Sequence, residues 1–93
     1  MIGTEIKEFG QVINNDKLMV VHVNLPQGKK IAPHDHQGQD IFFSVVTGQV
    51  KATLNNSEEH TLSPGTLLHF GGEAFIGIEA LVDSAFFVYL LNL

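Results

Sequence analysis

Apolar residues along this chain come in short runs that are separated by turn-forming residues. The runs are LMVVHVNL, IFFSVV, QVKATL, EHTL, TLLHF, FIGIEAL and AFFVYLLNL. The stretches between them are rich in Gly, Pro, Asn, Asp and Ser, as in INND, PQG, TG, SPG and GGE. Strands of this length at this spacing predict an all-β sandwich or barrel. Residues 3–13 fit either a helical turn or an edge strand.

Alternation within the runs predicts which faces meet the core. Val50, Ala52 and Leu54 fall on one side of their strand, and the polar residues between them fall on the other. The last run, AFFVYLLNL, leaves neither face polar. A strand that is apolar on both faces is buried on both. We therefore expect a second copy of the chain to cover the outer face of this strand and the adjacent sheet, which makes the protein a homodimer.

Length and net charge limit the classes to which this protein can belong. The chain has 93 residues and a net charge of −5 at pH 7, and it contains no cysteine. This length predicts one domain, residues 1–93. The acidic balance argues against a nucleic-acid partner, and the absence of cysteine excludes thiolate ligands. No signal-peptide pattern and no apolar run of bilayer length are present, so we expect a cytoplasmic protein with no membrane partner.

Two histidines begin a possible metal site. His34 and His36 lie in the stretch IAPHDHQGQDIFFSVVTGQV, residues 31–50. On an extended strand, residues at i and i+2 point to the same face with their Cα atoms about 6.6 Å apart. Two imidazoles can converge on one ion from such positions.

Asp40 could add a carboxylate to this pair, depending on the register of the following strand. The run IFFSVV places Ile41, Phe43 and Val45 in the inward row, which leaves Asp40 facing out as a solvated or turn-capping acid. A bulge or turn at Gly38 would instead bring Asp40 inward. Gln39 has the same ambiguity and is a weaker ligand. Both orientations remain open.

Other ionisable residues are assigned structural roles. Alternation turns His69 outward, His60 follows a polar turn, and His22 belongs to a polar row. None of these three is a natural third ligand. Glu79 either faces the interior or pairs with Lys51.

The glycines, histidines and turns together resemble the cupins, a family of small antiparallel jelly-roll β-barrels. The first cupin motif reads Gly, five residues, His-x-His, three or four residues, Glu, six residues, Gly, and it is matched here by Gly28, His34, His36 and Gly48. The second motif resembles LSPGTLLHFGGEAFIGIEALVDSAFFVYLL, residues 62–91. The resemblance covers about residues 18–93 and implies a cupin-type antiparallel jelly-roll β-barrel.

The same resemblance implies a metal site of three histidines and one glutamate, which this chain does not complete. His34 and His36 match the first two ligands. The glutamate position falls at Ile41, and the third histidine position falls at Ile76. The site is therefore degraded, or it has been rebuilt around Asp40.

These observations favour a small-molecule-binding or sensing protein of this fold with an incomplete His-x-His site. The alternative is a metal-dependent oxygenase or isomerase in which His34, His36 and Asp40 hold Zn, Mn, Fe or Ni. A third possibility is an interaction module. The expected pocket has apolar walls and two polar groups, as ligand pockets commonly do, and its residues are His34, His36, Phe43, Val45, Leu54, Leu68, Phe70 and Ile76.

Overall fold

A computed structural model describes residues 2–93 of the chain, and strands and turns account for all of its regular structure. The strands within this range are β1 (Gly10–Asn14), β2 (Leu18–Leu25), β3 (Lys30–His34), β4 (Gln39–Thr47), β5 (Val50–Leu54), β6 (Glu58–Leu62), β7 (Leu67–Gly71), β8 (Ile76–Ala80) and β9 (Ser84–Asn92).

The strands form two antiparallel sheets. A five-stranded sheet has the order β1-β2-β9-β4-β7, and a four-stranded sheet has the order β3-β8-β5-β6. This arrangement confirms the predicted all-β jelly roll. No strand pairs across the two sheets within residues 2–93, so the fold is a flattened jelly roll and the expected closed barrel is corrected on this point.

Two strands differ from the sequence prediction. The ambiguous N-terminal segment forms an edge strand, and this strand begins only at Gly10. Lys30–His34, which no apolar run marks, forms β3 at an edge of the four-stranded sheet. Its residues are mostly exposed, which explains why hydrophobic alternation does not reveal it.

The core fills the space between the two sheets with the inward rows of the strands. Phe43 on β4 and Phe86 on β9 stack with their ring centroids 4.6 Å apart. Val50 and Ala52 of β5 face them from the other sheet and are 0% exposed. Burying each large apolar side chain contributes about 1.5–3 kcal/mol before the entropy cost of ordering the chain.

The turn between β4 and β5 requires glycine. Gly48 has a φ of 84°, and a Cβ atom there would overlap the hydroxyl of Ser84 and the carbonyl oxygen of Asp83. The same hydroxyl accepts a 3.0 Å hydrogen bond from the Gln49 N–H. This glycine therefore fixes the approach of β9 to the β4–β5 turn.

The five-stranded sheet carries apolar side chains on its outer face as well. Phe42 pairs with Tyr89 across β4 and β9, and both are half-buried. Leu67 and Leu91, on the same face, are 60% and 39% exposed. We call this set, together with Phe87, the outer apolar face.

His22 closes one end of the outer apolar face. Its ring lies between that of Phe9, at 4.3 Å and tilted by 34°, and that of Phe87, which stacks on it at 4.1 Å. Its Nδ1–H donates to the carbonyl oxygen of Glu8 at 2.9 Å, so the lone pair lies on Nε2, which is buried without a partner within the described chain. The ring therefore holds residues 8–9 against the sheet, which is a structural role.

Residues 2–93 contain no helix that is long and apolar enough to cross a membrane.

Candidate functional site

A cavity of about 160 Å³ opens between the two sheets beside the His-x-His segment. Its walls are aliphatic and aromatic, and the two histidines stand among its lining residues. The lining residues are Val21, Val23, Ile31, His34, His36, Ile41, Phe43, Phe70, Ile76, Ile78, Phe86, Val88 and Leu90.

His34 ends β3 and is exposed, opposite Ile76 of β8. Its Nδ1 lies 2.9 Å from the carbonyl oxygen of Ala32. A carbonyl only accepts, so Nδ1 carries the hydrogen and the neutral ring keeps its lone pair on Nε2. This contact orients the imidazole and leaves Nε2 available to a ligand.

His36 lies beyond the end of β3 and is half-buried. Its ring meets that of His34 edge to face, with the centroids 4.8 Å apart and the planes at 80°. Burial lowers the pKa of His36 below its ordinary value of 6.5, and the neighbouring His34 lowers it further, whereas Asp35 raises it. The neutral form of His36 is therefore favoured near neutral pH.

Gly72 positions His36 through backbone hydrogen bonds. The His36 N–H donates to the Gly72 carbonyl at 2.7 Å, and the Gly72 N–H donates to the Gln39 carbonyl at 2.8 Å. A Cβ atom on Gly72 would overlap the carbonyl oxygen of His36. The sequence predicts only a turn at Gly72 and does not predict its hydrogen bonds to the histidine segment. The pair of glycines after a strand is the one sequence feature that could have indicated them.

The two isoleucines at the expected ligand positions face the cavity. Ile41 is 1% exposed and Ile76 is 4% exposed, and both line the cavity with the histidines. Apolar side chains therefore stand where the resemblance places a carboxylate and an imidazole.

Asp40 lies on the opposite side of the five-stranded sheet. Its Oδ1 is 2.7 Å from Nε2 of His69, whose ring stacks on Phe42 at 4.5 Å. Gly38 does form a turn, with a φ of 81°, but β4 then runs with Ile41 inward and Asp40 outward. The structure therefore does not bring Asp40 to His34 and His36.

No group of three or more His, Asp or Glu side chains within residues 2–93 is arranged to hold a metal ion. Protein zinc sites use three or four ligands. The donors that face the cavity amount to two imidazoles, so the residues present do not fit the metal centre that the fold family implies.

The predicted pocket residues divide into two groups. Phe43, Phe70 and Ile76 line the cavity together with the histidines. Val45, Leu54 and Leu68 are buried in the core but lie outside the lining. The predicted pocket omits residues of β2 and β9 that also line the cavity, which are Val21, Val23, Phe86, Val88 and Leu90. The alternation VVHV on β2 could have indicated the first two.

Glu79 and His60 lie outside the cavity lining. Glu79 Oε1 is 3.6 Å from Nζ of Lys51, which decides between the two predicted orientations in favour of the ion pair. Nε2 of His60 is 2.6 Å from a carboxylate oxygen of Glu58 on the same edge strand.

The end of β9 contacts the turn that follows His36. The Leu93 N–H donates to the Gly38 carbonyl at 3.1 Å, and the Gln39 side-chain amide donates to the Asn92 side-chain oxygen at 2.8 Å. These contacts fix the turn between β3 and β4 at the cavity mouth.

Two facing antiparallel sheets, with a cavity between them beside His34 and His36, define a protein of the jelly-roll class. The Cupin_2 family model, described as a cupin domain, matches residues 21–74, which is more than half of the chain. The chain therefore belongs to the cupin family.

Solved structures show the same fold. KdgF from a Halomonas species is 28% identical and superposes with a TM-score of 0.79, covering 89% of this chain and 77% of KdgF. An RmlC-like cupin with a double-stranded β-helix fold from Methanocaldococcus jannaschii is 20% identical, with a TM-score of 0.82 and coverage of 99% and 93%. An RmlC-like cupin from Desulfovibrio desulfuricans is 15% identical, with a TM-score of 0.82 and coverage of 98% and 93%. No curated protein sequence matches the chain significantly.

Proposed function

We propose that this cupin binds a small molecule in its inter-sheet cavity without a metal ion, as a binding or sensing protein. The observation that carries the proposal is the cavity wall, in which Ile41 and Ile76 stand at the two missing ligand positions. An apolar wall with a few convergent polar groups is typical of ligand sites.

The histidine pair supports the same proposal. His34 is oriented by its hydrogen bond to Ala32, and His36 is held by Gly72. Two imidazoles alone hold a divalent ion weakly, because catalytic zinc sites supply three protein ligands. Oriented imidazoles without a third ligand are better suited to forming hydrogen bonds with a bound molecule.

The experiment is the metal content of protein purified without a histidine tag, compared with His34→Ala and His36→Ala. We expect less than about one metal per ten chains in all three, since two ligands hold metal weakly. Addition of Zn²⁺ or Mn²⁺ should leave the thermal midpoint unchanged. About one metal per chain, lost in both variants, would contradict the proposal and favour the metal-dependent oxygenase or isomerase.

We also propose that a second copy of the chain covers the outer apolar face. A chain of 93 residues buries a limited share of its own surface, so association adds to its stability. Asp40 and His69 face each other within this face at 2.7 Å. The Asp40 carboxylate therefore has a hydrogen-bond partner within the face, so a second copy can cover it without leaving it unpaired.

The cytoplasmic location expected from the sequence stays a prediction, and fractionation of cells that express the protein would test it.

A further inference from the structure

The size of the cavity sets the size of the molecule that it can hold. Its volume is about 160 Å³. An engineered protein cavity of about 150 Å³ lined by Leu, Ile and Phe stays dry and binds benzene or xenon. A ligand of about six to eight non-hydrogen atoms therefore fills this cavity.

The residues of the cavity wall determine how polar the ligand can be. Phe43, Phe70 and Phe86 contribute rings, and every other wall residue beyond the histidines is aliphatic. Within residues 2–93, no charged side chain lines the cavity. A carboxylate, an ammonium group or several hydroxyls placed against such a wall would lose their hydration without gaining hydrogen bonds, which costs several kcal/mol. Sugars, amino acids and dicarboxylates are poorly suited to it.

The hydrogen bonding of His34 at the mouth indicates which kind of polar group the molecule presents there. The hydrogen on His34 Nδ1 is engaged by the Ala32 carbonyl at 2.9 Å, so Nε2 is an acceptor. A ligand group that meets this atom must donate a hydrogen. Asp35 beside the pair carries a negative charge that disfavours a carboxylate there. A hydroxyl group satisfies both conditions.

We propose that the cavity takes a neutral, monohydroxylated apolar molecule of phenol size, with its ring between the isoleucine and phenylalanine walls and its hydroxyl donating to Nε2 of His34. This inference rests on the proposed function, since it names the class of ligand for the same cavity. The ligand class is inferred from the cavity volume, the apolar wall and the His34–Ala32 hydrogen bond.

The test compares phenol with benzene by ligand titration, with NMR detection, on wild-type protein and His34→Phe. Phenol should bind about two- to tenfold more tightly than benzene to the wild type, which corresponds to one hydrogen bond. In His34→Phe this ratio should fall to about one, because the ring is kept and the acceptor is lost. His60→Phe, whose ring lies on an edge strand away from the cavity, is the matched control and should keep the wild-type ratio.

A ratio between two ligands is insensitive to a modest loss of stability that weakens both. His34 is also exposed, so its replacement does not disturb the core. Equal binding of phenol and benzene to the wild type would overturn the assignment of the hydroxyl to His34.

Two further results separate failure of this inference from failure of the proposed function. In the first, the protein binds benzoate or glucose but not phenol, and Ile76→Phe abolishes that binding. This result would overturn the proposed ligand class, but the cavity would still be a metal-free binding site. Phenol binding that Ile76→Phe leaves unchanged would place the molecule outside the cavity and overturn the inference. Stoichiometric metal on His34 and His36 would overturn the proposed function itself.

Discussion

The peptide N–H of His36 donates to the carbonyl oxygen of Gly72 at 2.7 Å, which ties the histidine segment to the turn after β7. The reciprocal bond from Gly72 to Gln39 closes a small backbone bridge. His36 lies outside any strand, so this bridge fixes its position.

We expect Gly72→Ala to destabilise the fold and displace His36. Its added Cβ would overlap the carbonyl oxygen of His36, and overpacking of this kind costs about 1–3 kcal/mol. Denaturant unfolding and the NMR shifts of His36 measure the two effects. Gly3→Ala is the control, because nothing lies within 4 Å of a Cβ there. Unchanged stability and unchanged His36 shifts in Gly72→Ala would show that the bridge is dispensable.

Asp40→Asn should have a small effect that is confined to the outer face. The Asp40–His69 pair is partly exposed, with side chains 26% and 54% accessible, and such pairs contribute up to about 1 kcal/mol. A double-mutant cycle with His69→Gln measures the coupling. Because Asp40 points away from the cavity, metal content and phenol affinity should stay at wild-type values. Metal bound to the wild type and lost in Asp40→Asn would restore the three-ligand hypothesis.

Restoring both family ligands should create a metal site. The double variant Ile41→Glu, Ile76→His places a carboxylate and an imidazole at the cavity beside His34 and His36. Burial of the new carboxylate destabilises the metal-free protein, and metal binding offsets that cost. We expect a thermal midpoint that rises on addition of Mn²⁺ or Zn²⁺, whereas the wild type shows no shift. Ile41→Leu, Ile76→Leu is the apolar control. Equal responses of wild type and double variant would refute the idea that the isoleucines disable the site.

His36 should titrate below its ordinary pKa of 6.5 in protein treated with a chelator. Burial and the adjacent His34 lower its pKa in the folded state, so the unfolded chain binds the proton more tightly. The contribution of His36 to stability is therefore present above pH 6.5 and is lost as pH falls through the folded pKa. Removing the Asp35 charge with Asp35→Asn should lower the pKa further. NMR titration measures both values, and a folded pKa above 6.5 would contradict the assignment of burial as the main cause.

The outer apolar face predicts a dimer in sedimentation at micromolar concentration. Tyr89→Lys places a charge in the middle of this face, and across a two-fold axis the two copies would bring like charges together. We expect its dimer to dissociate at least about tenfold more readily. Thr61→Lys, on the edge strand β6, should leave association unchanged. A wild-type protein that sediments as a clean monomer would remove the dimer proposal.

The sequence predicts those parts of the fold that follow from periodic patterns. Inward Ile41 and outward His69 follow from alternation, and Gly48 marks a turn that only glycine fits. Contacts between segments distant in sequence leave no such pattern. The Gly72 bridge is backbone to backbone, and the enclosure of His22 depends on Phe9 and Phe87, which lie 13 residues before it and 65 after it.

The candidate site was predictable only in part for the same reason. The two histidines and the two isoleucines stand at fixed positions in a motif, so their neighbourhood could be expected. Which inward residues line the opening depends on how the sheets separate along their length. Val45 and Leu54 share faces with cavity residues and are buried, yet they lie outside the cavity lining. Alternation with a period of two assigns a residue to a face of the sheet, but it carries no information on which residues of that face border the cavity.

The hydrogen bond from Leu93 to Gly38 has a practical consequence for any fusion at that end of the chain. It holds Leu93 beside the turn that follows His36. A polyhistidine extension after Leu93 would therefore begin next to two native imidazoles and could supply the ligands that Ile41 and Ile76 do not. Metal found in such a fusion would report on the appended sequence and not on the cavity.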